Sequence, residues 1–338
     1  MTTTNSVSLM GQTTAQSANL TELRQQLNDL SQQVTTGQLS PDYSGLGNNV
    51  KPVLDLNGQQ PLIQGYQANI DNVSNKMTMM NSALQQMTTV GNNLVAAIQT
   101  QLQNSPVNAA NIQQIASQGL QTLQDMMNQN IDGQYLFAGS SSSQPPYAGS
   151  NIMNSNFNTQ IQNWLATGNT SALTTTINGF SATNLGLSAS LATSGNVTTQ
   201  VDANTNVDYT VKGDGAGFQD LIRALALVAN TPYPGATNTA TGPDFQNLMN
   251  YALTTAQKGV NEISTTTQTL AGKFAQVKAI KDQNASDLTI VQNQLSTFTG
   301  ADTTKAITEM QALQTQLTSS YQVTNLVSKL SLVNYLTF

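Results

Sequence analysis

The stretch Ile63–Gln101, IQGYQANIDNVSNKMTMMNSALQQMTTVGNNLVAAIQTQ, decides the fold class of this chain. Its apolar side chains recur at alternating intervals of three and four residues, which places them on one stripe of an α-helix. The members of this stripe are Ile63, Tyr66, Ile70, Val73, Met77, Met80, Leu84, Met87, Leu94 and Ile98. Because the stripe persists over about five heptads, it is typical of a coiled-coil seam and needs a partner helix.

Helical stripes also lie on both sides of this segment. A shorter one precedes it and ends at Gly37. A second long stripe runs from Phe245 to Phe298, after Asp244 as a plausible N-cap, and a last helical segment follows Asp302. Short isolated helices barely form in water, so the outermost segments need each other or other subunits. We therefore predict antiparallel pairing of the two halves.

The middle of the chain has a different pattern. No charged residue lies between Asp132 and Asp202, and Gly, Ser, Thr and Asn dominate. Short alternating pieces such as Val207–Val211 predict strands joined by turns. The predicted fold is mainly α with a β-rich insert: long antiparallel coiled-coil helices from both termini form a rod, with a small β domain at its tip. The predicted domains are an N-terminal helical half at 1–139, a β-rich outer domain at 140–240 and a C-terminal helical half at 241–338.

Composition excludes several classes of function. The chain has no His and no Cys, which removes His-based triads, thiol nucleophiles and zinc or iron–sulfur sites. Charged residues make up only 8%, and the net charge is −6. Arg24 and Arg223 are the only arginines, so no basic patch for nucleic acid is expected. No apolar run is long enough to span a membrane. We found no converging catalytic residues, so we predict no enzyme activity, no cofactor and no metal.

The first twenty residues, MTTTNSVSLMGQTTAQSANL, lack the features of a secretory signal. They contain no basic region, since the first positive charge is Arg24, and no apolar core. A cleaved signal peptide is therefore not expected, and export would need another route.

Three segments resemble a known family. The sequence DGQYLFAG at 132–139 is similar to the G-x-Y-L-F-A-G signature of the hook–filament junction proteins of bacterial flagella, the third hook-associated protein family within the flagellin superfamily. The segment 311–336 resembles the C-terminal helix of that superfamily, and LNDLSQQVTTG at 27–37 resembles its N-terminal helix. Two features depart from the family pattern: Lys305 stands in place of an acid, and 41–47 replaces a D-D-P segment.

The resemblance implies a structural subunit that joins hook to filament through assembly of its terminal helices. It implies a homo-oligomeric ring, contacts with flagellin and with the first hook-associated protein, a flagellar export chaperone, and type III export to the extracellular flagellum without a cleaved signal. The candidate assembly residues are Leu20, Leu23, Leu27, Leu30, Val34, Leu317, Tyr321, Val327, Leu330, Leu332 and Leu336. The family signature residues are Tyr135, Leu136, Phe137, Ala138 and Gly139.

Two alternatives remain open from the sequence. Flagellin itself, the filament subunit, shares the terminal helices, although YLFAG and the short insert favour a junction protein. A secreted enzyme or adhesin with a coiled-coil stalk is a different class. The missing His and Cys argue against the enzyme, and ligand binding through the insert would identify an adhesin.

Overall fold

The computed structural model describes the backbone of residues 3–103 and 108–336, and the side chains of 11, 14–103, 108–149, 153–326 and 329. Most of this chain is helical. The helices are α1 (Thr3–Thr36), α2 (Val50–Gln103), α3 (Ala109–Met127), α4 (Ser150–Thr167), α5 (Thr170–Asn178), α6 (Ser190–Thr193), α7 (Ala216–Asn230), α8 (Gly242–Thr299) and α9 (Thr303–Leu336), with a 3₁₀ helix at Tyr43–Asn49. The strands are β1 (Asn130–Ile131), β2 (Gln134–Tyr135), β3 (Thr198–Asp202) and β4 (Thr205–Asp208).

The predicted antiparallel pairing of the long helices is confirmed: α1 pairs with α9, and α2 pairs with α8. The chain divides into two compact units. We call the part up to Gln64 and from Ala285 onward the terminal unit, and the part from Gly65 to Asn284 the central unit.

In the terminal unit, the connection that follows α1 is hydrogen-bonded to the connection between α8 and α9. α1 ends before Gly37, whose φ of 69° is a left-handed conformation that favours glycine. The Leu39 amide donates to the Thr299 carbonyl at 2.7 Å, and the Ala301 amide donates to the Gly37 carbonyl at 2.9 Å. This forms an antiparallel bridge between Gln38 and Gly300. Asp302 then accepts from the Lys305 amide at 3.0 Å, as an N-cap does at the start of α9.

In the central unit, the predicted α2 seam is the middle of the core. From Ile70 to Ile98 every predicted seam residue is at most 2% exposed, and Met79, which leaves the 3/4 spacing, is 38% exposed. Helix α7 lies inside this core, with every side chain from Leu221 to Val228 buried. Because both of its faces are covered, α7 is apolar almost all round.

The middle of the chain contains the predicted small strands, together with helices that were not predicted. The strands form two antiparallel hairpins, of which β3–β4 lies within 140–240 and β1–β2 lies just before it. The β1–β2 hairpin turns at Asp132 and Gly133, both with positive φ, as an Asp-Gly type I′ turn requires. However, the region also contains α4, α5 and α6, so it holds more helix than strand. The apolar spacing of Met153, Phe157, Ile161 and Trp164 was sufficient for helix α4 despite its many Asn, Ser and Thr residues.

Candidate assembly surface

The predicted seam of α1 is only partly covered in the single chain. Its five members are half-buried, and they are Leu20, Leu23, Leu27, Leu30 and Val34. On α9, Leu317 is half-buried and Tyr321 is 40% exposed. Helix α9 continues to Leu336, but four predicted assembly side chains lie outside the described residues: Val327, Leu330, Leu332 and Leu336. The structure therefore brings the described members of the α1 and α9 sets into one helix pair.

One polar contact connects the two helices of this pair. The Arg24 side chain donates from Nε to the Tyr321 hydroxyl at 2.8 Å, and from its terminal nitrogen to the same oxygen. The guanidinium carbon also lies 5.6 Å from the centre of the Tyr321 ring, within cation–π range. Tyr321 was predicted from the sequence as an assembly residue, whereas no role in assembly was predicted for Arg24. The contact helps to set how α1 and α9 align.

Exposed apolar side chains are concentrated in the terminal unit. Among the described residues, nine of the twelve exposed large apolar side chains belong to it: Leu39, Tyr43, Leu54, Leu62, Ile290, Ile307, Tyr321, Val323 and Leu326. The other three are Met79, Tyr233 and Phe274 in the central unit. By contrast, the apolar side chains that the terminal unit buries are Leu46, Val53, Leu56, Val291 and Ala306. Most of the exposed large apolar side chains of the described residues thus belong to the terminal unit.

Helix α2 also contains two open glycines, Gly58 in the terminal unit and Gly65 at the first position of the central unit. Gly58 and Gly65 lie inside the helix, and a Cβ built on either one would meet nothing within 4 Å. Leu62, 59% exposed, lies one turn of helix from each of them. Glycine in a helix interior costs about 1 kcal/mol relative to alanine, and no contact within the chain accounts for these two.

Ile290 on α8 lies at the same level as Leu62. A groove of about 320 Å³ is lined by Val53 and Asn57 from α2 and by Leu295 and Thr299 from α8, which fixes the antiparallel register of the two helices here. Continuing that register by one to two turns brings residue 62 level with residue 290. Leu62 and Ile290, 59% and 50% exposed, are therefore two exposed apolar side chains at one level of the α2–α8 pair.

The signature residues 135–139 belong to the central unit and not to the exposed apolar surface of the terminal unit. Phe137 is fully buried, and its ring centre is 6.0 Å from that of Phe218 at the start of α7. The Phe137 carbonyl accepts from the Gly213 amide at 2.8 Å. Gly139 has a φ of 60°, and a side chain there would meet Ser194 and the Gly195 carbonyl. Ala138 is also buried, and Tyr135 and Leu136 are half-buried. In the single chain this motif is part of the core of the central unit.

The described ionisable groups do not form a chemical site. The Asp220 carboxylate pairs with Arg223 on the same helix and with Lys258 on α8 at 2.9 Å, and Arg223 also donates to the Ile177 carbonyl at 3.1 Å. This cluster links α5, α7 and α8. Burial raises the pKa of Tyr147 to about 12, which keeps its hydroxyl protonated. Among the described residues, no three carboxylates come together to hold a metal, and no helix is long and apolar enough to cross a bilayer.

Two solved structures share this arrangement. One is a Vibrio parahaemolyticus protein described as a flagellar hook-associated protein, with a TM-score of 0.53 and 10% identity, covering 73% of this chain and 96% of that one. The other is FlgL of Bacillus cereus, with a TM-score of 0.51 and 12% identity, covering 71% of this chain and 98% of that one. No family model and no curated protein matches the sequence. At these identities the likeness shows that the chain has the fold of these proteins.

Proposed function

We propose that the chain is a structural subunit of the bacterial flagellum, which joins hook to filament through assembly of its terminal helices. The observation that carries the proposal is the uncovered apolar surface of the terminal unit, in a chain with the fold of flagellar hook-associated proteins. The work of such a subunit is mechanical, so it needs no catalytic group.

The burial pattern supports assembly with further subunits. The five seam side chains of α1 and Leu317 on α9 are half-buried, Tyr321 is exposed, and Ala306 is the one described side chain of the pair that is buried. Two long helices that cover each other only partly gain little from pairing, because most helix stability in proteins comes from packing of the apolar face. Neighbouring subunits that cover the remaining half of the stripe would supply the missing stabilisation.

The surface charge fits neighbours of the same kind. Between Asp55 and Asp71 on α2, and between Asp287 and Asp302 around the end of α8, the sequence contains no charged residue. In a ring of identical subunits the same charges recur at a fixed spacing, and like charges close to the contact between neighbours would oppose assembly. A ring of identical subunits is therefore the first proposed partner set.

Further partners follow from the proposed position. A junction subunit contacts flagellin on one side and another hook-associated protein, the first of that set, on the other. A flagellar export chaperone would cover the terminal helices before export. The proposed location is extracellular, at the hook–filament junction. Residues 140–240 are proposed as the outer domain, between the helical halves 1–139 and 241–338.

Immunogold labelling of intact flagellated cells tests the proposal. We expect label at a single point between hook and filament. Label along the whole filament would identify the chain as flagellin instead, and absence of label from flagella would favour the stalk or adhesin class. Both of these outcomes would overturn the proposed role.

A gene-deletion strain gives a second, independent test. If the chain joins filament to hook, cells without it should carry hooks that lack filaments, and the full-length chain should restore filaments. Cells that lack the chain but carry normal filaments would contradict the proposal.

A further inference from the structure

We propose that Asn284, acting through the β3–β4 hairpin, fixes the register in which α2 and α8 pair within the central unit. The inference concerns folding of the single chain and does not depend on the proposed function.

Asn284 occupies a seam position of α8. A series of α8 residues at seven-residue spacing is buried throughout: Met249, Ala256, Ile263, Leu270, Val277, Asn284 and Val291. Asn284, 4% exposed, is the one polar member of this series. A buried polar residue in an otherwise apolar heptad position specifies register at a cost in stability.

The seam of α2 is equally repetitive, so apolar packing alone discriminates weakly between registers. Its buried residues also recur at seven-residue spacing, as Ile70, Met77 and Leu84 and as Val73, Met80, Met87 and Leu94. A slip of α8 by one heptad, about 10 Å at 1.5 Å per residue, would again bring apolar side chains opposite apolar side chains. The fit of Val260 against Gly91 favours the observed register at one place along the seam.

The hairpin contacts both helices at adjacent residues of β3. The Asn284 side-chain amide donates to the Val201 carbonyl at 2.9 Å, and the Asn69 amide on α2 donates to the Gln200 carbonyl at 3.1 Å. Val201 and Val207 are buried beneath the hairpin. Both amide bonds can form together only when Asn69 and Asn284 are level with each other. A slip by one heptad would separate one amide from its carbonyl. Loss of the Asn284 bond would leave a buried donor without its partner, which is costly, whereas the Asn69 amide is exposed and can bond to water.

Cysteine cross-linking measures the register directly, because the chain has no cysteine of its own. Asp71 and Lys281 form an exposed ion pair with 2.6 Å between carboxylate and ammonium, so Asp71→Cys with Lys281→Cys reports the observed register. Asp71→Cys with Phe274→Cys, and Thr78→Cys with Lys281→Cys, report slips by one heptad in either direction. Exposed ion pairs contribute little to stability, so replacing Asp71 and Lys281 should leave the fold intact, and Thr78 and Phe274 are exposed as well.

The variant to compare is Asn284→Val in the full-length chain. We expect the yield of the slipped pairs, relative to that of the 71–281 pair, to rise at least tenfold. The matched control is Asn261→Val, an exposed asparagine on the same helix, which should leave the ratio unchanged. An unchanged ratio in Asn284→Val would overturn the proposal.

Hydrogen exchange of the hairpin provides a second readout that does not need the valine variant to fold. Asn284→Asp keeps the shape of the side chain but loses the N–H donor. We expect at least tenfold faster exchange of the β3 and β4 amides in Asn284→Asp. Unchanged exchange would overturn the proposal. Faster exchange without slipped cross-links in Asn284→Asp would also overturn it, since the hairpin would then be held by Asn284 without controlling the register.

Discussion

Both units of this chain contain an antiparallel helix pair, but the apolar seam of the pair is covered to a different extent in each. In the central unit the α2 seam is covered by α8, α3 and α7, and its side chains from Ile70 to Ile98 are essentially inaccessible. In the terminal unit the α1 and α9 stripes are half-buried, and large apolar side chains such as Leu326 and Leu62 are about 60% exposed. The additional helices α3 and α7 thus cover the apolar seam of the central unit, and the α1–α9 pair has no such cover among the described residues.

Helical glycines show a similar contrast between covered and open positions. In the central unit, Gly91 packs against Val260 and Leu221, and Gly259 packs against the backbone of Gly217 and Leu221 on α7. Gly58 in the terminal unit has open space where a side chain would be, and so do Gly65 and Gly272 in the central unit. Gly91 and Gly259 allow close approach within the chain, whereas the open glycines leave room for close approach of a neighbouring subunit.

The largest expected effect is a core truncation in the central unit. Phe157 is fully buried, and its ring centre lies 5.3 Å from that of Phe180. Phe157→Ala should lower the free energy of unfolding by about 3–5 kcal/mol. Trp164 is the one tryptophan of the chain and is buried in the same unit, so its fluorescence in a urea titration reports this loss. Met79→Ala, at an exposed site, should change the free energy by less than about 0.5 kcal/mol. Equal effects would contradict the comparison between covered and uncovered positions.

The second prediction separates assembly from folding. Leu317→Asp places a charge on the half-buried seam of α9, where neighbouring subunits are proposed to pack. Assembly should be lost, as measured by attachment of filaments to hooks, while the Trp164 unfolding transition of the central unit stays unchanged. Gln314→Asp, an exposed site on the same helix, adds the same charge and should assemble normally. Normal assembly of Leu317→Asp would contradict the proposal that this seam of α9 contacts neighbouring subunits.

The third prediction concerns the open glycines of α2, where alanine should raise stability but weaken assembly. Gly58→Ala and Gly65→Ala should each stabilise the isolated chain by up to about 1 kcal/mol, because alanine is the better helix former and its Cβ meets nothing. If a neighbour approaches at these glycines, the same variants should weaken assembly. Gly272→Ala on α8, another open helical site in the central unit, should stabilise without affecting assembly. Thermal unfolding and filament attachment are measured on the same three variants. Normal filament attachment in Gly58→Ala and Gly65→Ala would contradict the approach of a neighbour at these glycines.

The smallest expected effect is a pH dependence in the terminal unit. The Ser44 hydroxyl and amide bond to the Asp42 carboxylate at 2.6 Å and 3.0 Å, and they lower the pKa of Asp42 below its ordinary value. A carboxyl with a lowered folded-state pKa adds stability above its unfolded pKa of about 3.9, and this stability is lost as the pH falls through the folded-state pKa.

Ser44→Ala should therefore move the pKa of Asp42 back toward its ordinary value, as followed by a carboxyl NMR titration. Ser17→Ala, at an exposed site on α1, serves as the control and should leave the titration of Asp42 unchanged. An unshifted titration in Ser44→Ala would assign the lowered pKa to another cause.

The long helices could be predicted from the sequence because their periodicity is strong. The stripe ending at Gly37 and the seam from Ile70 to Ile98 lie where the 3/4 spacing places them. Helix α2 begins earlier than its stripe suggests, at Val50, and continues through Pro61. Tertiary packing extends a helix beyond its clearest apolar pattern.

The middle helices were missed because composition was given more weight than spacing. Leu173 and Ile177 on α5 are one turn apart and both buried, and Asn169 caps that helix by accepting from the Ala172 amide at 3.0 Å. Both signals were present in an uncharged segment that resembled a series of turns.

The candidate surface was only partly predictable. The α1 and α9 stripes were named, but Leu62 and Ile290 were not, because they lie outside the 3/4 spacing and sequence alone does not show which off-stripe residues stay uncovered. Asn284 was passed over for a similar reason, since a polar residue interrupts an apolar pattern even where it occupies a seam position.

The bridge between Gln38 and Gly300 has a consequence for the kinetics of folding. It connects two points that are far apart in sequence, so the entropy of closing the loop between them would ordinarily delay contact. Once α2 and α8 have paired, that loop is already closed, and the segments that contain Gln38 and Gly300 lie side by side. Pairing of α1 with α9 then proceeds at a high effective concentration, as in a tethered bimolecular reaction. The terminal pair should therefore form last and open first, with a rate that follows the pairing of the longer helices.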